Sequence, residues 1–207
     1  MAITGQSKRG SATREKLLVA ARELFASRGY HATTTALLAD RTGIAEGTIY
    51  RHFAGKDALY SAVCRGVWER FESLALDPAS ASEPVRARLA ATARRFIAEA
   101  ARNPSTMKLH ERPVEATALD EFARRARDRL REALTQLIAA GKQEGAIRPG
   151  TAELWASLWS AVIWSVCERV VNGEWTADHP NTTAAIDAAW EMIQSRVTGQ
   201  ESREGAQ

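Results

Sequence analysis

Apolar side chains recur at intervals of three and four residues along nearly all of this 207-residue chain. That spacing places them on one face of an α helix, whereas a half-buried strand would need alternation at every second residue. We find no segment with convincing alternation bounded by hairpin turns. The pattern therefore predicts an all-α fold.

Caps, glycines and prolines divide this pattern into helices. The first four are predicted over residues 13–27, from Thr34 or Thr35 to about Gly43, over 46–52 and over 56–74. A loop at 77–84 is expected to precede the helices of a second domain. These are a helix from Val85 to a break at Asn103 and Pro104, a short helix that ends before Pro113, and helices over 117–144, 151–171 and 182–197.

The predicted helix at 151–171 has almost no polar face. A helix that is apolar all round must be covered on all sides, and one protomer rarely supplies that much cover. We therefore predict that this helix and the last one pair with their copies in a symmetric homodimer. A monomer with a thick core is the alternative.

Positive charge is concentrated near the amino terminus. The whole chain has a net charge of only +3, but residues 1–56 carry nine Lys or Arg against four Asp or Glu, while the remainder carries 19 against 21. A basic module on a nearly neutral body is typical of proteins that bind nucleic acid. On charge alone, a solvated helix surface explains the bias equally well.

Residues 29–59 have the spacing of a helix-turn-helix. Gly43 would form the tight turn between two short helices, and the second of these would enter the DNA major groove. Ile49 and Phe53 lie four residues apart and would hold that helix against its neighbours. Thr48, Arg51 and His52 are then left on the opposite face, free to contact DNA.

Each remaining candidate on this unit suits a different DNA contact. We expect Tyr50 to donate to a phosphate, Arg51 to contact guanine and Gly47 to allow close backbone approach. The helix starts at Thr34, Thr35 and Lys56 offer free amides to phosphates, and Lys56 adds a full charge. An arm with Lys8, Arg9 and Arg14 would follow or enter the minor groove.

The same segment resembles the DNA-binding half of the TetR repressor family. The matching residues are Phe25, Gly29-Tyr30, Thr33-Thr34, Leu38-Ala39, Gly43-Ile44, Gly47-Thr48-Ile49-Tyr50, His52-Phe53, Lys56 and Leu59. Two positions depart from the family pattern: Ala45 and Gly55 stand where that pattern has hydroxyl residues. Each change removes a helix cap, which predicts a less firmly ordered recognition helix without DNA.

The resemblance implies features that spacing does not give. It implies nine helices: a three-helix DNA-binding domain at 1–56, an effector-binding and dimerisation domain at 57–198, and a polar tail at 199–207. It also implies a homodimer formed by the last two helices, a palindromic double-stranded operator, and release of that operator by a small molecule. The two DNA-binding heads would sit roughly 34–36 Å apart, one turn of DNA.

No motif identifies the effector. Apolar and aromatic residues of the second domain are the candidates for its pocket: Phe96, Met107, His110, Phe122, Trp155, Trp159 and Trp164, with His110, Arg112 or Glu168 as polar anchors. For any single one of them, packing in the core or at the dimer interface is favoured over contact with a ligand. The tryptophans favour a hydrophobic or aromatic effector.

Other functional classes are disfavoured. His110-Glu111 is followed by Pro113 and has no second histidine four residues on, so the metalloprotease pattern fails and no enzyme is expected. Cys64 and Cys167 have no metal-ligand spacing, and we expect neither metal nor cofactor. A helical ligand-binding or interaction protein without DNA regulation is the alternative, but it would need a disabled Thr48-Tyr50-Lys56 face. We find no signal peptide and no apolar run of about 18 residues, so we expect a cytoplasmic protein without a membrane partner.

Overall fold

The computed structural model describes residues 4–111 and 118–195, with only the backbone described at 4–9 and 111. These residues form nine α helices: α1 Thr4–Ala32, α2 Thr35–Thr42, α3 Glu46–His52, α4 Lys56–Ala75, α5 Val85–Arg102, α6 Pro104–Glu111, α7 Glu121–Gln143, α8 Ala152–Val171 and α9 Pro180–Ile193. A 3₁₀ turn at Pro78–Ser80 precedes α5, and one isolated bridge joins Ile147 to Gln194. The predicted all-α fold is confirmed.

Local capping fixes the helix-turn-helix where the sequence predicts it. The Thr34 hydroxyl caps α2 by accepting the amide of Leu37 at 3.1 Å. Gly43 ends the helix with φ 67° and ψ 19°, a left-handed conformation that favours glycine, and its amide donates to Ala39 O. After this turn α3 begins at Glu46 and ends at His52, as predicted.

The first helix is longer than predicted. It begins at Thr4 and continues to Ala32, where we expected residues 13–27 with a stop at Gly29. Gly29 has φ 83° and ψ 172°, so helical geometry is interrupted at the predicted stop, and a second short helical segment follows to Ala32. The difference from the prediction lies mainly at the start, where no proline prevents the helix from beginning before residue 13.

One continuous core runs through both halves of the molecule. Leu17, Phe25 and Leu38 are buried within the amino-terminal helices, where α1 packs on α4, and α4 continues the core to α5, α6 and α7. Further along, the rings of Phe71 and Phe96 meet edge to face with centroids 5.1 Å apart. Since α4 packs on α1 at one end and on α7 along its length, the two halves share it.

An ion pair between a buried carboxylate and a half-exposed guanidinium joins α4 to α5. The Arg70 guanidinium donates two hydrogen bonds to Glu99 Oε2 at 2.8 and 3.0 Å, and the Asn103 amide donates to Oε1 at 2.9 Å. Burial alone would raise the pKa of Glu99, but these hydrogen bonds and the positive charges of Arg70 and Arg102 hold it below its ordinary value. Glu99 therefore stays ionised inside the fold at neutral pH.

Two predictions about the second half are wrong. Phe122, predicted to line the effector pocket, is 64% exposed, because Ala123 and Ala126 occupy the inward face of α7. We also expected no run of about 18 residues that could span a bilayer, yet α8 is long and apolar enough by length and composition alone. The core helix of a non-membrane protein passes the same test.

Several predictions fall outside the described residues. The expected start of α7 near residue 117 does so, as do Arg112, Val197, the polar tail at 199–207 and the side chains of Lys8 and Arg9. Within the described part, Asp120 caps α7 by accepting the amide of Ala123 at 2.8 Å.

Candidate nucleic-acid interface and effector cavity

Helix α3 is anchored on one side and open on the other. Ile49 and Phe53 are buried, at 1% and 5% exposure, in the core beneath α3. Tyr50 is 54% exposed on the far side, and Gly47 and Arg51 are exposed with it. The predicted division of this helix into a packed face and an open face is therefore present.

The open face carries its own hydrogen bonds. The Thr35 hydroxyl donates to the Glu46 carboxylate and lies 3.3 Å from the Tyr50 hydroxyl. These contacts join the start of α2 to α3 and orient the Tyr50 ring. One turn on, Arg51 Nη2 donates to the Thr48 hydroxyl at 2.7 Å.

Gly47 has no intramolecular reason to be glycine. A Cβ built on it would meet nothing within 4 Å, and its φ is not positive. Glycine costs a helix about 0.5–1 kcal/mol relative to alanine. The missing side chain at Gly47 allows the surface of a binding partner to approach the α3 backbone closely.

Lys56 is held at the start of α4 by Tyr30. Its Nζ donates to Tyr30 O at 3.2 Å and lies 4.2 Å from the centre of the Tyr30 ring. The Tyr30 hydroxyl in turn donates to the Asp57 carboxylate. Sequence reasoning gave Tyr30 no role of its own, although it belongs to the Gly-Tyr pair of the matched pattern.

The remaining interface candidates are also partly engaged. Thr34 is exposed but uses its hydroxyl as the cap of α2, and His52 is half-buried at the end of α3. Ala45 and Gly55 supply no side-chain cap, as expected, so α3 and α4 both start without one. Gly55 has φ 155°, where a side chain would be strained, so serine could not simply replace it.

A cavity of about 730 Å³ lies between α7 and α8, and we refer to it as the α7–α8 cavity. Its lining comes from α4, α6, α7 and α8: Trp68, His110, Arg127, Leu130, Arg131, Leu134, Thr135, Glu153, Ala156, Ser157, Ser160, Ala161 and Trp164. Its volume lies within the range of small-molecule sites, about 300–1,000 Å³.

Of the seven predicted pocket residues, the structure brings His110 and Trp164 to this lining. Phe96 supports it from behind, stacked on Trp164 at a centroid distance of 4.9 Å. Met107 and Trp159 are buried outside the lining, and Phe122 is exposed on α7.

The predicted pocket residue Trp155 and the predicted polar anchor Glu168 also lie outside the cavity lining. The Trp155 indole donates to Pro149 O at 3.2 Å beside Gly150. Glu168 is exposed on α8 and does not line the cavity. Sequence reasoning missed Trp68, Arg127 and Arg131, whose helical spacing marks them only as boundary or surface positions.

His110 is uncharged at neutral pH. Burial and, to a lesser extent, the positive charge of Arg131 together lower the pKa of His110 to about 4. Its Nδ1 atom is buried and has no hydrogen-bond partner among the described residues, and the same holds for Arg127 Nε. These two buried atoms are therefore available for hydrogen bonds to a ligand in the cavity.

Comparison with known sequences places the similarity at the amino terminus. A family model described as bacterial regulatory proteins of the tetR family matches residues 17–63. The HTH-type transcriptional activator FasR of Mycolicibacterium smegmatis is 48% identical over 50 residues, which cover 24% of this chain and 23% of FasR. The HTH-type transcriptional repressor KstR2 of Rhodococcus jostii is 43% identical over 56 residues, 27% of this chain and 28% of KstR2. The alignments span about a quarter of these relatives.

Solved structures resemble the chain along most of its length. A TetR family transcription regulator from Marinobacter aquaeolei has a TM-score of 0.79 at 22% identity, covering 92% of this chain and 100% of its own. A putative TetR family regulator from Vibrio parahaemolyticus has a TM-score of 0.72 at 24% identity, covering 88% and 99%. At these identities the likeness establishes a shared fold.

Proposed function

We propose, on the premise that this chain belongs to the TetR family of bacterial transcriptional regulators, that it is a repressor. In this proposal it binds a palindromic operator as a homodimer and releases that DNA when a small molecule enters the α7–α8 cavity. The observation that carries the proposal is the open face of α3, where Gly47 leaves the backbone uncovered beside Tyr50 and Arg51. The matched relatives are named as regulators, not enzymes.

We assign the DNA contacts by chemistry. Tyr50 donates to a phosphate, while Arg51 and Thr48 meet base edges, Arg51 by exchanging its bond to Thr48 for a bond to guanine. Lys56, held over the Tyr30 ring, places its charge at the amino end of α4, where the free amides favour a second phosphate. Thr34, Thr35 and His52 flank these groups.

The exposed face of α8 supports a dimer. Leu154 and Leu158 are 48% and 39% exposed, and the exposed Ala161 and Ser165 continue their stripe. Only 28% of the apolar window of α8 is buried within the protomer. We propose that this stripe and the small exposed residues of α9 meet their symmetry mates, because an isologous contact buries one apolar patch twice.

Helix α4 couples the proposed sites. Its first residue, Lys56, lies at the DNA face and Trp68 lies at the cavity wall. We place the domain boundary after Lys56, so that 1–56 binds DNA and 57–198 binds effector and partner. A ligand that displaces Trp68 tilts α4 and changes the spacing of the two DNA-binding heads. The loss of operator affinity then equals the difference between the ligand's affinities for the DNA-binding and the released conformation.

Selection of genomic DNA fragments by the purified protein tests the proposal. We expect enrichment of promoter fragments that contain an inverted repeat. Binding should weaken with salt, and Lys56→Ala should reduce the salt slope by about one charge. Tyr50→Phe should weaken binding to all sequences, whereas Arg51→Ala should relax base preference at one position. Absence of salt-sensitive binding to any promoter fragment would overturn the proposal.

Deletion of the gene tests the direction of regulation. A repressor predicts that transcripts from the enriched promoters rise in the deletion strain. A fall would identify an activator, a description carried by one matched relative. Since operator DNA lies in the cytoplasm of a bacterium, we propose that compartment for the protein.

A further inference from the structure

We propose that the effector of the α7–α8 cavity is a flat aromatic carboxylate. The inference rests on the proposed function only in calling the ligand an effector, because the chemistry of the cavity is argued from its own lining. Three features of that lining point to this class: aromatic walls, two cationic side chains that have no close carboxylate partner within residues 10–110 and 118–195, and further polar groups suited to a second ligand group.

The first feature is the shape of the walls. The rings of Trp164 and Phe96 are stacked nearly parallel, with an interplanar angle of 6°, so Trp164 is fixed from behind. The ring centroids of His110 and Trp164 are 4.1 Å apart, and Trp68 lines the cavity from α4. Fixed indole and imidazole rings favour stacking with a planar ligand.

The second feature is the state of two arginines one helical turn apart on α7. Arg127 and Arg131 both line the cavity, and among the described residues their nearest carboxylate oxygen is that of the exposed Asp128, at 3.9 and 4.0 Å. Arg127 Nε is also buried and has no hydrogen-bond partner in the described part of the chain. By contrast, Arg129 on the same helix is paired with Glu69 and Glu72, at 3.5 and 3.1 Å.

This contrast indicates an anionic ligand. A guanidinium with a poorly satisfied buried donor gains most from a carboxylate, which accepts two charge-assisted hydrogen bonds in the fork geometry of arginine. Glu153 contributes one negative charge to the described lining, so the two arginines leave it net positive. A neutral ligand could accept a hydrogen bond from Arg127 Nε, but only an anion also balances the excess positive charge of this lining.

The third feature is a set of polar groups that can take a second polar group of the ligand. His110 Nδ1 is buried, no described residue bonds it, and the ring is neutral, so it can accept from a hydroxyl or donate to a carbonyl. Ser157 and Ser160 on α8 provide further hydroxyls in the lining. A planar acid with an added ring substituent satisfies both groups.

A panel of matched probes tests the proposal with the full-length protein. Benzoate, naphthoate and pyrenecarboxylate are compared with their neutral amides and with decanoate, using tryptophan fluorescence and thermal shift. We expect at least one aromatic carboxylate to bind about tenfold more tightly than both its amide and decanoate, since a charge-assisted hydrogen bond is lost in the amide. If no aromatic carboxylate binds, or if an amide binds equally well, the proposal is overturned.

Three variants locate the site. Arg127→Gln and Arg131→Gln should each weaken the tightest carboxylate by about tenfold while leaving its amide unchanged. Arg129→Gln is the matched control and should leave both unchanged, because its guanidinium is held by Glu69 and Glu72. Loss of binding in Arg129→Gln alone would overturn the assignment.

The two proposals fail in distinguishable ways. A protein that retains promoter DNA but binds none of the aromatic carboxylates keeps its regulatory function and refutes the ligand class. A protein that binds an aromatic carboxylate through Arg127 and Arg131 but retains no DNA keeps the ligand class and refutes the regulatory function.

Discussion

Serine at position 45 should stabilise the amino end of α3. Ala45 precedes this helix with φ −54° and ψ 136° and offers no side-chain acceptor to the first turn. The caps of α2, α7 and α8 have similar extended ψ values, and each accepts the amide of the third helical residue, at 3.1, 2.8 and 3.2 Å. A serine hydroxyl in place of the Ala45 methyl can therefore reach Gly47 or Thr48 N without a change in backbone conformation.

The expected gain is about 1 kcal/mol, the usual value of one such cap. That energy changes a local opening equilibrium by about fivefold. Hydrogen exchange of the α3 amides in the DNA-free protein should therefore be about fivefold slower in Ala45→Ser, if exchange occurs through local opening. Operator affinity should rise by no more than the same factor, because the substitution removes only disorder of the free state.

Thr34→Ala provides the reciprocal control. It removes the cap that α2 has, so the amides at the start of α2 should exchange faster by a similar factor. Suppose Thr34→Ala accelerates exchange in α2 while Ala45→Ser leaves α3 unchanged. The missing cap would then not limit the order of α3, and our account of this helix would be wrong.

Three further predictions concern other parts of the molecule. Glu99→Gln should lower stability at pH 7 by about 1–3 kcal/mol. The folded-state pKa of Glu99 is depressed, so its ionised form stabilises the fold above the unfolded pKa of about 4.3. That stabilisation is lost as pH falls through the lower folded-state pKa, so the melting temperature of the variant should depend less on pH in that range. Leu158→Glu should convert the dimer into monomers in sedimentation, whereas Leu76→Glu, at an exposed leucine outside α8 and α9, should not. A dimeric Leu158→Glu variant would refute the α8 interface. Gly47→Ala should weaken operator binding while leaving stability equal or higher. The control Gly66→Ala, at another open helical site, should change stability in the same way and leave binding unaltered. If both variants bind the operator equally well, DNA does not approach the backbone at Gly47.

Local chemistry determined what the sequence alone predicted well. The bounds of α2 and α3 follow from a threonine cap and a left-handed glycine, which act on neighbours three or four residues away. The open and packed faces of α3 follow from the helical period that buries Ile49 and Phe53. These interactions are short in sequence, so the order of the residues contains them.

Tertiary structure decided which side chains share a site. Helical spacing placed Phe122 and Trp164 alike on apolar stripes, but Phe122 is exposed and Trp164 lines a cavity with His110, 54 residues away in the sequence. Likewise, Lys56 lies over the Tyr30 ring, and Arg129 pairs with carboxylates of α4 whereas Arg127, on the same helix, lines the cavity. Periodicity states that a residue faces inward, but it does not state what lies opposite, because that depends on how distant helices pack together.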